Sequence, residues 1–523
     1  MANAVRAYQE QRFTDAAQIC RRLLQAGERA EVLHLLGLAQ LGLKEDAAAS
    51  ETLKRAAALA PGDSAIARNL GLALRQQGQL RAALESWAGI ANADPALRYQ
   101  RGALALELHD DAAAEADWRA VLRKDPQHAA AGAGLAHLAL ERNQPEQALA
   151  LADTVLAHAP DHAQAALARG RALAQLKQPA EAQAVFERLG SSAAVAPANR
   201  ALALGQLARL YDRQAQWDDA FQAATQANQT LAATPAFQQA RGTSVYALDV
   251  IDALTGALSE DRLRAWAAET PQDGPEPTFL VGFPRSGTTL ADRMLGAHTD
   301  IAVVEEQPTL HELLARTAGS GLNLEPFGVD ERATLRSAYR RRAEAAAGGP
   351  APVILDKLPL NLGFVAPIWR LFPRARFILA LRDPRDVVLS CYLQTFGAND
   401  AMSHFLNLPD AVRYYAAVLR LGLRCLRTLP VRFAELRYES LVQDPEAQVR
   451  RLLTFLDLSW QAPMADYRAG LRGQRINTPS FDQVSEPIYQ RARGRWRHYR
   501  KHLREVLPAL NDLGLELGYD ADP

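Results

Sequence analysis

Val281-Gly-Phe-Pro-Arg-Ser-Gly-Thr-Thr-Leu290 follows an apolar lead-in, Thr278-Phe-Leu280, and a breaker-rich stretch, Glu269-Thr-Pro-Gln-Asp-Gly-Pro-Glu-Pro277. An apolar run that ends in a glycine loop and opens a helix offers backbone N–H groups and a positive helix end to a phosphate. Gly282 and Gly287 have the G-x-x-x-x-G spacing of a nucleotide triphosphatase loop, but Thr288 and Thr289 stand where that loop carries Lys and then Ser or Thr. The cation lies inside the loop instead, at Arg285.

Downstream, apolar runs at 279–283, 301–304, 353–355, 377–381 and 431–438 read as buried strands, with helical patterns between them. This alternation predicts an α/β domain with a mainly parallel sheet and ligands at the carboxyl ends of its strands. The run Phe377 to Leu381 leads into Arg382-Asp-Pro-Arg-Asp-Val-Val-Leu-Ser390, where a turn and a helix start can bring a guanidinium and a hydroxyl to one phosphate.

Upstream, the chain is Ala-, Leu- and Gln-rich with a period near 34. Gly37, Gly71 and Gly102 are each followed 12 residues later by Ala49, Ala83 or Ala114, and 16 later by Leu53, Trp87 or Trp118. Pro61, Pro95 and Pro126 stand 24 residues after the same glycines. The register fits a helix pair in which the small residue admits the large one and Pro closes the unit. It resembles the tetratricopeptide repeat, with about six units expected between residues 1 and 240. Such units stack into a superhelix, either as a structural arm or dimer spacer, or as a groove for a peptide or protein. The expected organisation is a repeat superhelix at 1–250, a linker at 251–277 and the α/β domain at 278–523.

Fifty-nine Lys and Arg balance 59 Asp and Glu, so no overall field selects nucleic acid or an anionic membrane. Cys20, Cys391 and Cys425 form no CxxC pair and read as reduced core residues. No signal peptide or long uncharged apolar span is evident, which predicts a cytoplasmic protein.

The loop, Ala297-His-Thr-Asp300, Glu305-Glu306, Asp356-Lys357, Arg382 to Ser390, Arg437-Tyr-Glu-Ser-Leu-Val442, Ser480-Phe-Asp-Gln-Val484 and Arg495-Trp496 occur in the order and spacing of one family. Over residues 278 to 515 the chain resembles the tyrosylprotein sulfotransferases and their bacterial relatives fused to tetratricopeptide repeats. The resemblance implies a phosphate-loop fold that moves a sulfuryl group from 3′-phosphoadenosine-5′-phosphosulfate to a hydroxyl, with no metal required. It implies that Glu306 is the general base, that Arg285 and Lys357 flank the transferred group, and that Ser480 assists there. Arg285, Ser286, Gly287, Thr288 and Thr289 would hold the 5′ end, and Arg382 with Ser390 the 3′-phosphate; Tyr438 and Arg495 would complete the nucleotide site. Glu305 is the rival base, because a like-charged pair raises one member's pKa and the sequence does not say which.

The resemblance breaks in two places. Gln307-Pro-Thr-Leu-His-Glu312 lacks the arginines with which that family grips acidic peptides, and Gln394 stands where it has a further nucleotide-site arginine. Protein tyrosine, carbohydrate, lipid and small-molecule hydroxyls all remain open as acceptors. The basic segment Arg491 to Lys501 reads as a lid on nucleotide phosphates. Partners are then the nucleotide, the acceptor and a protein or second copy on the repeats, without nucleic acid or membrane. The alternative is a repeat adaptor with an inactive nucleotide-binding domain, and a third reading is an ATP- or GTP-dependent kinase.

Overall fold

The computed structural model describes all residues except 90–93, 109, 243, 271–272, 320, 467–490 and 521–523. The chain forms two compact units, Met1–Gln178 and Pro179–Pro523.

In the first unit, consecutive helices pack in pairs, among them Ala30–Gly42 with Asp46–Leu59, Ser64–Gln76 with Leu80–Trp87, and Pro95–Glu107 with Asp111–Lys124. The glycine register explains why. A Cβ on Gly37 would lie 2.6 Å from Leu53, one on Gly71 2.0 Å from Trp87 Nε1, and one on Gly102 2.7 Å from Trp118 Nε1. Each large side chain therefore occupies the space its partner glycine leaves. Leu53, Trp87 and Trp118 are buried, as are Ala49, Ala83 and Ala114. Pro95 departs slightly from its expected role, because it occupies the first turn of its helix and opens a unit there.

The second unit carries five strands: β1 (Thr278–Val281), β2 (Ile301–Glu305), β3 (Val353–Lys357), β4 (Arg376–Leu381) and β5 (Arg432–Arg437). They pair in parallel in the order β2-β3-β1-β4-β5. Each predicted apolar run supplies one strand. Strand order reverses direction around β1, so the loops after β1, β3 and β4 open on one crevice. On one face Leu280, Leu355, Ile378 and Leu436 pack with Leu290, Met294, Leu295 and Leu452. The architecture is a tetratricopeptide-type helical array followed by an α/β domain with a parallel sheet.

The unit boundary does not follow the expected organisation. Helix pairing continues in the second unit, where Pro179–Ser191 packs on Pro197–Arg213 and that helix on Trp217–Ala232. Gly205 approaches the α/β domain so closely that a Cβ would lie 1.9 Å from Thr395 Oγ1. The stretch 251–277, expected as a linker, is largely helical: Leu248–Ala257 and Glu260–Glu269 bury Ile251, Leu254, Leu263 and Trp266. They pack on the Leu408–Thr428 helix, where Arg424 donates to Thr255 O at 3.0 Å, and Arg370 covers the Trp266 ring at 4.1 Å. An apolar face, not a flexible tether, accounts for those residues. Among the described residues no helix is long and apolar enough to cross a membrane.

Gly71→Ala tests the repeat packing. The gain in helix propensity is about 1 kcal/mol, whereas overpacking costs about 1–3 kcal/mol. Chemical denaturation of the full chain is expected to show a destabilised repeat transition; an unchanged or raised midpoint would mean that the glycine–tryptophan fit does not limit stability.

Candidate active site

The loop after β1 is closed by Ser286, whose hydroxyl donates to Phe283 O at 2.7 Å, and is tied to β3's exit by Gly282 N–H donating to Pro359 O at 3.0 Å. Arg285 has φ +70° and Gly287 φ +98°. Gly287 is the N-cap of the Thr288–Leu295 helix and offers no capping side chain to the first turn. A Cβ there would lie 2.7 Å from the Tyr438 ring. Only glycine meets both conditions. Ser286, Thr288 and Thr289 are buried in this turn.

At β4's end, Arg382 is buried, with its guanidinium 4.5 Å over the Tyr438 ring. Its Nη1 donates to Arg285 O at 3.1 Å and its Nη2 to Ala492 O at 2.6 Å, while Nε has no acceptor among the described residues. Ser390 lies on the Pro384–Tyr392 helix, and its hydroxyl accepts from Arg285 Nε at 3.0 Å. The two anchors expected at opposite ends of a nucleotide are thus on the same side of the sheet and in contact. Arg285, Ser390, Arg382 and Tyr438 form one cationic cradle.

A second group assembles at the ends of β2 and β3. Lys357 is fully buried, its ammonium 2.9 Å from Glu306, 3.3 Å from Glu305 and 3.3 Å from Asp292 of the loop helix. Burial opposes the charge, but Asp292, Glu306 and Glu305 outweigh it and hold the ammonium above the ordinary lysine range. Burial likewise works against ionised Glu305, yet Lys357 and Arg293 keep its carboxyl below the usual range. Glu305 also pairs with Arg293 directly and has a side chain only 12% exposed. Glu306 differs. Its side chain is 42% exposed, its φ is +52°, and its N–H donates to Lys357 O at 2.8 Å. A non-glycine residue in this left-handed region is uncommon, and such strain concentrates at functional sites.

The turn after Glu306 is pinned by Thr309, whose hydroxyl donates to the fully buried Asp356 at 2.5 Å. Burial pushes the Asp356 carboxyl up to about 7, only partly offset by that hydrogen bond.

Several supporting residues were not nominated by the sequence. Asp292 and Arg293 hold Lys357 and Glu305; the available signal was a charge at a buried position among Leu290, Ala291, Met294 and Leu295. Asp386 accepts from Gly494 N–H at 2.7 Å and Trp496 N–H at 2.9 Å, which fixes the segment beside Arg382. Asp212, on Pro197–Arg213, accepts from Arg495 at 2.6 Å and from the Tyr499 hydroxyl at 2.6 Å. Arg209 on the same helix donates to Gln394 at 2.6 Å, so a guanidinium reaches this position from the helical array. Arg495 is therefore tied to that helix. Ser480 lies outside the described residues.

Residues 277–462 match the profile of the Sulfotransferase family and residues 105–171 that of the Tetratricopeptide repeat. An uncharacterized protein of Aquifex aeolicus is 29% identical over 63% of this chain and 44% of its own length. A putative protein-tyrosine sulfotransferase of Caenorhabditis briggsae is 29% identical over 46% of this chain and 88% of its own length. Protein-tyrosine sulfotransferase 1 of Danio rerio is 29% identical over 42% of this chain and 64% of its own length. The chain thus spans less than half of the Aquifex relative it matches. Its second part is thus similar to sulfotransferases and a stretch of its first to tetratricopeptide repeats.

The Asp356 proton gives a pH signature. With its pKa raised to about 7 in the fold, this group stabilises fully below the ordinary aspartate value, and the contribution fades as pH rises through 7. Urea midpoints are expected to fall between pH 5 and 8 more steeply in the wild type than in Asp356→Asn. Equal slopes would mean that Asp356 is already ionised in the folded protein at pH 5.

Proposed function

We propose that the second unit transfers a sulfuryl group from 3′-phosphoadenosine-5′-phosphosulfate to a hydroxyl acceptor. The single observation that carries this reading is the contact of Arg285 with Ser390 and of Arg382 with the loop backbone, which joins a phosphate loop to a second cationic clamp. A nucleotide triphosphate needs one such anchor; a nucleotide with phosphates at both ends of its ribose needs two. The buried Nε of Arg382, which has no acceptor among the described residues, fits an anionic ligand at this crevice.

The donor supplies an already activated sulfur, whose leaving group is a phosphate. Loop amides 285–289 and Arg285 hold that phosphate, while Arg382 and Ser390 take the 3′-phosphate, with Tyr438 beneath the guanidinium; Arg495, held by Asp212, joins them on the family resemblance alone. Lys357, held charged by its carboxylates, stabilises the oxygen on which charge grows. Glu306 receives the acceptor's proton, since it is the exposed member of the pair and, while both touch Lys357, only Glu305 is also held by Arg293. Ser480 is kept as an assisting group on the family resemblance alone.

Two measurements test this. Calorimetry is expected to give 3′-phosphoadenosine-5′-phosphate at least about tenfold tighter binding than ADP, a preference removed in Arg382→Ala, because charge-assisted hydrogen bonds are worth about 1.5–3 kcal/mol each. Equal affinity of the wild type for both nucleotides rejects the donor assignment. Glu306→Gln is expected to keep nucleotide affinity and lose about 10²–10⁴-fold in transfer rate; full activity would pass the base role to another group.

A further inference from the structure

Glu306 stands at the edge of a cleft of about 670 Å³ in the second unit. Its walls come mainly from two places, with Leu358 after β3 as a third contributor. Val245, Tyr246 and Val250 line it from the segment before the sheet, and Leu310, Leu314 and Ala318 from the turn and helix that follow Glu306. The volume lies within the range of small-molecule sites, about 300–1,000 Å³.

The chemistry of this lining is one-sided. Among its described residues there is no Lys or Arg, and the ionisable side chains besides Tyr246 are Glu306 and His311. The polar groups are largely committed elsewhere. The Tyr246 hydroxyl donates to Asn361 Oδ1 at 2.8 Å, and Gln307 Nε2 donates to Glu305 O at 3.3 Å. The nearby Arg316 pairs with Glu331 at 3.0 Å and covers the Phe327 ring at 4.7 Å. An acidic peptide entering here would meet a carboxylate and no lining cation. A sugar would strand hydroxyl groups against Leu and Val side chains, at about 1–3 kcal/mol for each left unpaired.

We infer that this cleft is the acceptor site, and that the acceptor is a neutral compound with an apolar body and one reacting hydroxyl, a phenol or an alcohol. The inference rests on the sulfuryl-transfer reading and specifies its second substrate. The body fills the space between Val250 and Leu314 while the hydroxyl points to Glu306. In the transfer, the acceptor oxygen forms its bond to sulfur as the bond from sulfur to the 5′-phosphate oxygen breaks. The electron pair of that bond leaves with 3′-phosphoadenosine-5′-phosphate, and the acceptor's proton passes to Glu306.

The test incubates the full chain with 3′-phosphoadenosine-5′-[³⁵S]phosphosulfate and, separately, 2-naphthol, a Glu-Glu-Tyr-Glu peptide and N-acetylglucosamine. Sulfated 2-naphthol is expected with kcat/KM at least about tenfold above the other two, the discrimination a hydrophobic pocket readily supplies. Ala315→Trp, at an exposed position on the cleft wall, is expected to lower kcat/KM for 2-naphthol about tenfold or more while leaving the affinity for 3′-phosphoadenosine-5′-phosphate unchanged. Faster labelling of the peptide or the sugar overturns the inference, as does unaltered naphthol turnover in Ala315→Trp. Labelling of none of the three by a chain that binds 3′-phosphoadenosine-5′-phosphate rejects this acceptor class, whereas failure to bind that nucleotide rejects the underlying reading instead.

Discussion

The buried ammonium of Lys357 is the constraint on which the crevice depends. It is fully enclosed and touches carboxylates from the loop helix and from the end of β2, while it extends from β3 itself. An isolated charge at this depth would be intolerable, and breaking such a pair by removing one partner costs about 3–5 kcal/mol. The network therefore fixes the distance between the loop helix and two strand ends. Glu305 closes it through Arg293, which frees the next residue to leave the strand with a positive φ and present a half-exposed carboxylate. The two adjacent glutamates have different surroundings for this reason.

The cationic cradle is built on the other side of β1. Arg382 and Ser390 both touch Arg285, and Tyr438 fills the space that Gly287 leaves. Its outer wall is shared with the helical array, since one helix, Pro197–Arg213, bonds Gln394 through Arg209 and Arg495 through Asp212. The last helices of the array thus serve as structural parts of this crevice, not as a separate arm. This explains why the compact unit begins at Pro179.

Local patterns were legible in the sequence. Five apolar runs became five parallel strands, and the glycine-to-large-residue spacing of the repeats became direct contacts, because both arise within one element or between neighbours. The His298 side chain, in the motif at 297–300 between a helix end and a strand start, bonds Ser459 O at 3.0 Å and Asp300 N–H at 3.0 Å. What escaped was non-local. Asp212 and Arg495 are 283 residues apart, and no pattern in either segment announces the pair. The strand order, the commitment of Glu305 to Arg293 and the cleft beside Glu306 arise only when distant segments meet. The helices at 248–269 were legible in Ile251, Leu254 and Leu258, but the prolines that follow drew the expected boundary over them.

A crystal structure of the chain soaked with 3′-phosphoadenosine-5′-phosphate tests the central claim most directly. The account predicts the 5′-phosphate on the amides of residues 285–289 and the 3′-phosphate within hydrogen-bonding distance of Arg382 and Ser390, both in one crevice at the strand ends. A nucleotide bound with its 3′-phosphate in solvent, or seated away from the loop, would contradict it.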